Sequence, residues 1–160
     1  MKDLKPDIRS VSTKREKMLC AEMITGSEPW TTLGITYDQT MDSLNDPLHE
    51  VFAAYIKEEM VGVIIVQTKG AFSGYIKSLV IKAGWRNKHL GKIMMEFIED
   101  KLFAKSSNIF LCVSSFNMDA QKFYLELGYQ VIGVLKNYLV EGYDEILMRK
   151  TTGPILGKTC

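Results

Sequence analysis

The chain has 160 residues, of which 46% are hydrophobic and 24% charged, which bounds it to one soluble globular domain with a real core. With 20 Lys and Arg against 19 Asp and Glu the net charge is +1, which argues against a general polyanion binder and so against nucleic acid as a partner. Cys20, Cys112 and Cys160 have neither metal-type spacing nor an even count, the N-terminus is charged, and no apolar run would span a bilayer; the expectation is a cytoplasmic protein with no membrane contact, no metal and no disulfide framework.

Residues 7–11 fit a short first strand. Over residues 13–25, Met18, Leu19, Met23 and Ile24 recur at helical spacing, and Gly26 supplies a stop. Residues 27–34 read as a loop, and in it Trp30 either packs in the core or walls a pocket. A second helix runs from Thr36 or Tyr37 to about Leu44 and ends at Asn45-Asp46-Pro47. Residues 50–56 and 60–68 form a hairpin around Lys57-Glu58-Glu59, and residues 72–82 add a third strand to this antiparallel meander.

A long helix over residues 88–105 should bury Leu90, Ile93, Met94, Phe97 and Leu102 and expose Lys92 with Glu96. Residues 108–114 make an apolar strand parallel to its predecessor, because a helix connects the two. Asn117 is an N-cap for a helix from Met118 to Leu127, with Gly128 just past its end. Residues 129–139 and 143–150 form a last hairpin. The reading is a single α+β domain over residues 1–150 with a tail at 151–160.

The strand-to-helix passage around Gly84 carries chemistry. A helix that opens straight after a strand presents free N–H groups and partial positive charge at its first turn, which suits a phosphate. Between Glu59 and Glu96 there is no acidic residue, while Lys69, Lys77, Lys82, Arg86, Lys88 and Lys92 all fall there. In a chain of near-zero net charge this segregation is local. A solvated basic surface would give the same pattern, and charge alone does not choose. In the later helix Asn117, Ala120 and Tyr124 are spaced three and then four apart, so they share one face. Ala120 keeps that face low enough for a ligand chain to lie along it, while Phe123 and Leu127 pack inward.

Arg86-Asn87-Lys88-His89-Leu90-Gly91 resembles the pyrophosphate signature Q/R-x-x-G-x-G/A of the GCN5-related N-acetyltransferase (GNAT) superfamily, with His89 in place of the middle glycine. Asn117, Ala120, Phe123, Tyr124, Gly128 and Tyr129 match the family's second segment, N-x-x-A-x-x-F/L-Y-x-x-x-G-F/Y. The resemblance covers residues 7–150. It implies a mostly antiparallel sheet of six to seven strands, splayed between the fourth and fifth and flanked by about four helices. It also implies acetyl-CoA as cofactor, held by the Leu79-Val80-Ile81 backbone and by Arg86, Asn87, Lys88, His89, Leu90, Gly91, Lys92, Asn117, Ala120 and Tyr124. The activity implied is direct acetyl transfer to a primary amine, with Tyr124 protonating the departing thiolate and a backbone N–H near Ile81 polarising the thioester carbonyl.

Residues 72–82 contain no carboxylate to serve as base, so Glu50, Glu141, Asp144 or a water near Ser114 and Ser115 stand as candidates; His49 and His89 are assigned no such role. The acceptor pocket falls to Trp30, Leu33, Tyr37, Tyr138 and Tyr143, with a small amine, an amino acid or a peptide N-terminus as acceptor. The last hairpin is a candidate homodimer contact. The competing function is a non-catalytic acetyl-CoA sensor.

Overall fold

Local signals set the helix starts. In the computed structural model, which describes residues 5–157, Thr13 and Glu16 form a reciprocal capping box at the start of α1 (Lys14–Thr25). Thr36 and Gln39 repeat it at α3 (Tyr37–Asn45). Between them, where a plain loop was expected, the short helix α2 (Trp30–Leu33) closes with Gly34 in the left-handed conformation. Residues 1–4 and 158–160, with Cys160 and the end of the expected tail, lie outside the described residues.

The remaining elements are β1 (Asp7–Ser10), β2 (His49–Ile56), β3 (Glu59–Gln67), β4 (Tyr75–Ile81), α4 (Leu90–Phe103), β5 (Asn108–Ser114), α5 (Met118–Glu126), β6 (Gln130–Leu135) and β7 (Glu145–Thr151). Among the described residues, seven strands form one sheet in the order β1-β2-β3-β4-β5-β7-β6, and five helices cover it, one more than expected. Every pairing is antiparallel except β4 with β5. Each face of the sheet has its own core. Phe52, Ile64, Val66, Ile76, Leu111, Val113 and Met148 pack under α4 and α5. Alternate residues of the same strands, Val51, Ala53, Val63 and Ile65, pack with α1 and α3 through Cys20, Ile24 and Leu44. No helix of the described residues is long and apolar enough to cross a membrane.

Several boundaries differ from those expected, for local reasons. β4 begins at Tyr75, not at residue 72, because Gly74 takes φ 91° and its Cα lies against the Asn108 carbonyl. α4 starts at Leu90, since His89 before it is left-handed. Its buried stripe is Leu90, Met94, Met95, Ile98 and Leu102; Ile93 is exposed, and Phe97 sits half-buried over β2, edge-on to Phe52 with centroids 5.4 Å apart. The final hairpin is shorter than the pattern suggested. Asn137 is left-handed, its Oδ1 accepts from Gly142 N at 2.7 Å, and Asp144 Oδ1 accepts from Asn137 N at 3.1 Å. Those bonds organise residues 136–144 as a loop, which carries Tyr138 and Tyr143 out of the strands. At the other end β7 continues to Thr151, and Thr152 N donates to Ser107 O at 2.9 Å, so pairing reaches past the expected domain limit.

Candidate active site

The cleft begins where two strands diverge. β4 and β5 pair only at Tyr75–Phe110 and Ile76–Leu111. Just beyond, Lys77 is an extra residue in β4, because Ile65 and Val66 of β3 face Ser78 and Ile76 respectively. A bulge of this kind bends its strand. From there β4 leaves β5, and the gap opens into a cleft of about 380 Å³. Lys77, Ser78 and Leu79 line one wall, Cys112, Val113 and Ser114 the other. The splayed edge of β4 therefore offers backbone groups that no strand claims, and such groups need a partner. Val80 faces the core under α1, and Ile81 is half-buried.

At one end of β4 stands the expected anion turn. After a 3-10 turn at Ala83–Trp85, Asn87 and His89 adopt φ 58° and 60°. The family's middle glycine thus corresponds to a left-handed residue. His89 takes that conformation at a cost of about 1–2 kcal/mol, and its side chain stays exposed. The amides of residues 87–92 donate to no acceptor among the described residues, and no side chain caps α4. Gly91 serves packing: a Cβ there would meet Phe123 Cζ at 3.3 Å, so this glycine lets α4 lie close to α5.

The charges sort themselves once folded. Lys82 pairs with Glu59 at 2.6 Å, and Lys92 with Glu96 at 3.9 Å, so the two acids bounding the basic stretch each answer one of its lysines. Arg86 and Lys88, on the turn, have no carboxylate partner among the described residues. Arg86 Nε donates to Ile81 O at 3.1 Å, which ties the turn to the end of β4, and Lys88 Nζ lies 4.8 Å from the Trp85 ring centroid.

α5 closes the cleft from the other side. Asn117 Oδ1 accepts from Ala120 N at 3.2 Å, capping the helix, and Asn117, Ala120 and Tyr124 all line the cleft. The Tyr124 ring is buried, edge-on to Phe123 and Tyr129 at 5.1 and 5.8 Å. Its hydroxyl bonds to no protein group and yet is not sealed in, unlike the orphaned Tyr129 hydroxyl beneath it. Burial pushes the Tyr124 phenol well above its ordinary value, so it remains protonated.

Of the expected acceptor residues, Trp30, Leu33 and Tyr138 line the cleft. Tyr37 and Tyr143 do not. Tyr37 is exposed at the first turn of α3, and Tyr143 packs edge-on to Phe116 at 5.6 Å outside the cleft. The carboxylates expected as base candidates are also elsewhere, while Ser114, expected to hold a water, lines the cleft. Glu50 is exposed and accepts from Thr68 Oγ1, Glu141 is exposed, and Asp144 holds the Asn137 amide. His49 Nδ1 donates to Ser43 O at 2.7 Å, and neither histidine lines the cleft.

A carboxylate that sequence reasoning missed does line it. Glu145, 2% exposed, faces Ser114 across the β5–β7 pair, and Ser114 Oγ donates to its Oε1 at 2.7 Å. Burial raises the Glu145 carboxyl above its ordinary value, against the lowering effect of the Ser114 bond. Tyr75 and Cys112 stand nearby, and burial raises the Cys112 thiol as well. Alternation could not have found it: Glu145 stands on the strand face opposite Ile146 and Met148, which is where a solvated acid would also stand.

An anion-receptive turn, a splayed strand edge and a phenol opening onto the gap are the features that the fold brings to this cleft. The chain matches the model of the acetyltransferase (GNAT) family over residues 15–129, and it belongs to that family. It is 31% identical over 111 residues, 66% of this chain and 70% of the other, to a protein of Methanocaldococcus jannaschii called an uncharacterized N-acetyltransferase. An aminoglycoside 6′-N-acetyltransferase complexed with coenzyme A has the same fold, with TM-score 0.73, 18% identity and coverage of 94% of this chain and 99% of that one. Arabidopsis thaliana Naa50 in complex with the bisubstrate analogue CoA-Ac-MVNAL gives TM-score 0.73 and 21% identity over 91% and 98%.

Proposed function

We propose that this acetyltransferase moves an acetyl group from acetyl-CoA to a primary amine (a small amine, an amino acid or a peptide N-terminus) by direct attack. The observation that carries the reading is the unbonded Tyr124 hydroxyl opening into the cleft that begins where β4 leaves β5. Acetyl-CoA supplies an activated acyl group on a thiol leaving group. The amides of residues 87–92 with Arg86 and Lys88 hold its diphosphate, the edge of Leu79, Val80 and Ile81 orients its arm, and Asn117 and Ala120 border its path. Tyr124, kept protonated by burial, holds the proton that the leaving sulfur needs. Leu33, Trp30 and Tyr138 flank the acceptor with apolar and aromatic surface.

Support for amine acceptors comes from the relatives: the structures above include an enzyme named for an aminoglycoside and one bound to a peptide-bearing analogue. Free thiol released from acetyl-CoA, measured across a panel of amines and peptides, tests the function. A sensor would bind coenzyme A and release none. The outer strand β6 exposes Val131, Ile132 and Val134 at the sheet edge, which supports a homodimer through that edge, testable by sedimentation. The free thiols of Cys20 and Cys112 support a cytoplasmic setting.

A further inference from the structure

We propose that Glu145 is the general base of the transfer, taking a proton from the acceptor ammonium, and that Ser114 is its positioning residue. The inference rests on the acetyltransferase reading above and adds the group which that reading lacks.

Topology carries the argument. Along β5, Leu111 and Val113 point into the core beneath α4 and α5, the side from which Tyr124 enters the cleft. Side chains alternate, so Cys112 and Ser114 point to the opposite face, the one covered by α1 and α3. Glu145 stands in register with Ser114 and shares that face. The phenol and the carboxylate therefore reach one cleft from opposite sides of the sheet, and the splay between β4 and β5 joins the two sides. Trp30 and Leu33, from the elements over the Glu145 face, line the cleft as well. An amine entering past them meets the carboxylate before it meets the thioester.

The chemistry fits a base that is held and not exposed. Only one oxygen of Glu145 is bonded to protein, the Oε1 that accepts from Ser114, which leaves Oε2 for an incoming N–H. The titratable groups lining the cleft with it are Tyr75, Cys112, Tyr124, Tyr138, Lys77 and Glu28. Burial lifts the Glu145 carboxyl, which makes its anion more basic than an exposed one. Protons balance. The acceptor ammonium gives one proton to Glu145 and becomes an amine; its nitrogen forms the N–C bond, and the C–S bond breaks. The sulfur takes the Tyr124 proton, the nitrogen's second proton restores the phenol, and Glu145 returns its proton to water.

The test compares two acceptors with wild-type protein, Glu145→Gln and Ser114→Ala: a peptide with a free N-terminus, and trifluoroethylamine, which is already unprotonated at pH 7. Glu145→Gln should lower kcat/KM for the peptide at pH 7 by roughly 10²-fold or more. It should change the rate with trifluoroethylamine less than threefold, and the peptide rate should recover as pH rises and the acceptor deprotonates unaided. Ser114→Ala removes a bond that favours the anion, so the acid limb of the peptide profile should move to higher pH. Equal losses with both acceptors, or an unaltered acid limb in Glu145→Gln, would overturn the assignment and leave acetyl transfer standing. Thiol release missing from the wild-type protein with both acceptors, despite coenzyme A binding, would overturn the transferase reading and this assignment together.

Discussion

Gly74 lies so close to Asn108 that a Cβ on the glycine would stand 2.6 Å from the Asn108 carbonyl oxygen. The contact sits at the junction on which the cleft depends: Gly74 O accepts from Phe110 N at 2.9 Å, and Gly74 N donates to Gln67 O at 2.9 Å. β4 and β5 are joined there, and they diverge just past Ile76 and Leu111.

Gly74→Ala should therefore be severe. A side chain at φ 91° costs about 1–2 kcal/mol, and the backbone oxygen it meets cannot swing aside as a flexible side chain would. A total loss of at least about 2 kcal/mol implies a fall in Tm of at least roughly 4–8 °C for a domain of this size. Calorimetry checks it. An unchanged Tm would mean that the β4–β5 junction is softer than its geometry implies.

Tyr124→Phe should lower kcat by roughly 10²-fold and leave coenzyme A affinity within about threefold. The ring packs on Phe123 and Tyr129 through its faces and edges, which phenylalanine preserves, so only the hydroxyl is lost. Because burial raises this phenol above its ordinary value, it does not titrate below pH 10, and an alkaline limb below that pH should persist in the variant. Initial-rate kinetics against pH reads both outcomes.

Charge removal at the turn should divide by position. Arg86→Ala and Lys88→Ala each remove an uncompensated cation beside the unclaimed amides and should weaken coenzyme A binding roughly tenfold, with shallower salt dependence. Lys82→Ala removes a cation already paired with Glu59, both partners being about half exposed, and should change binding little. Titration calorimetry at two salt concentrations separates the cases; equal losses for all three would restore the view of an undifferentiated basic surface.

Thr13→Ala should cost about 1 kcal/mol of stability and leave catalysis untouched, since it breaks the capping box of a helix start. The Thr13 and Ser12 amides bonded to Glu16 hold that carboxyl below its ordinary 4.5, and Thr13 Oγ1, the group that the variant removes, adds to that hold by donating to Glu16 Oε2 at 3.0 Å. A depressed carboxylate contributes stability above the unfolded-state value and loses it as pH falls through the folded one. The gap between wild type and Thr13→Ala should accordingly be full at pH 7 and shrink below pH 4.5 in chemical denaturation.

Most element types and their order were legible in the chain, because helix caps, turn residues and apolar periodicity act locally. Asn117 caps where its side chain predicts, Thr13 and Thr36 stand at helix starts that fall where the periodicity puts them, and the two family segments fall in register. The ends of β4 and of the last hairpin were not legible. They depend on a glycine pressed against a carbonyl from a distant strand and on an Asn–Asp pair that organises a loop. The stripe of α4 turns toward Met95 and Ile98 because Phe97 stays half-buried against Phe52 of a distant strand, a contact that the helix itself does not encode.

The sequence alone determined the family, the turn at Arg86 to Lys92 and the helix face of Tyr124, since each is a run of neighbours with fixed spacing. Only the tertiary structure decided which cations stay free, which aromatics face the cleft and that Glu145 is buried inside it. Those outcomes depend on cross-strand register, in which Ser114 and Glu145 meet from 31 residues apart, and on where β4 leaves β5. No local pattern carries that information, because pairing partners are fixed by the closure of the whole sheet.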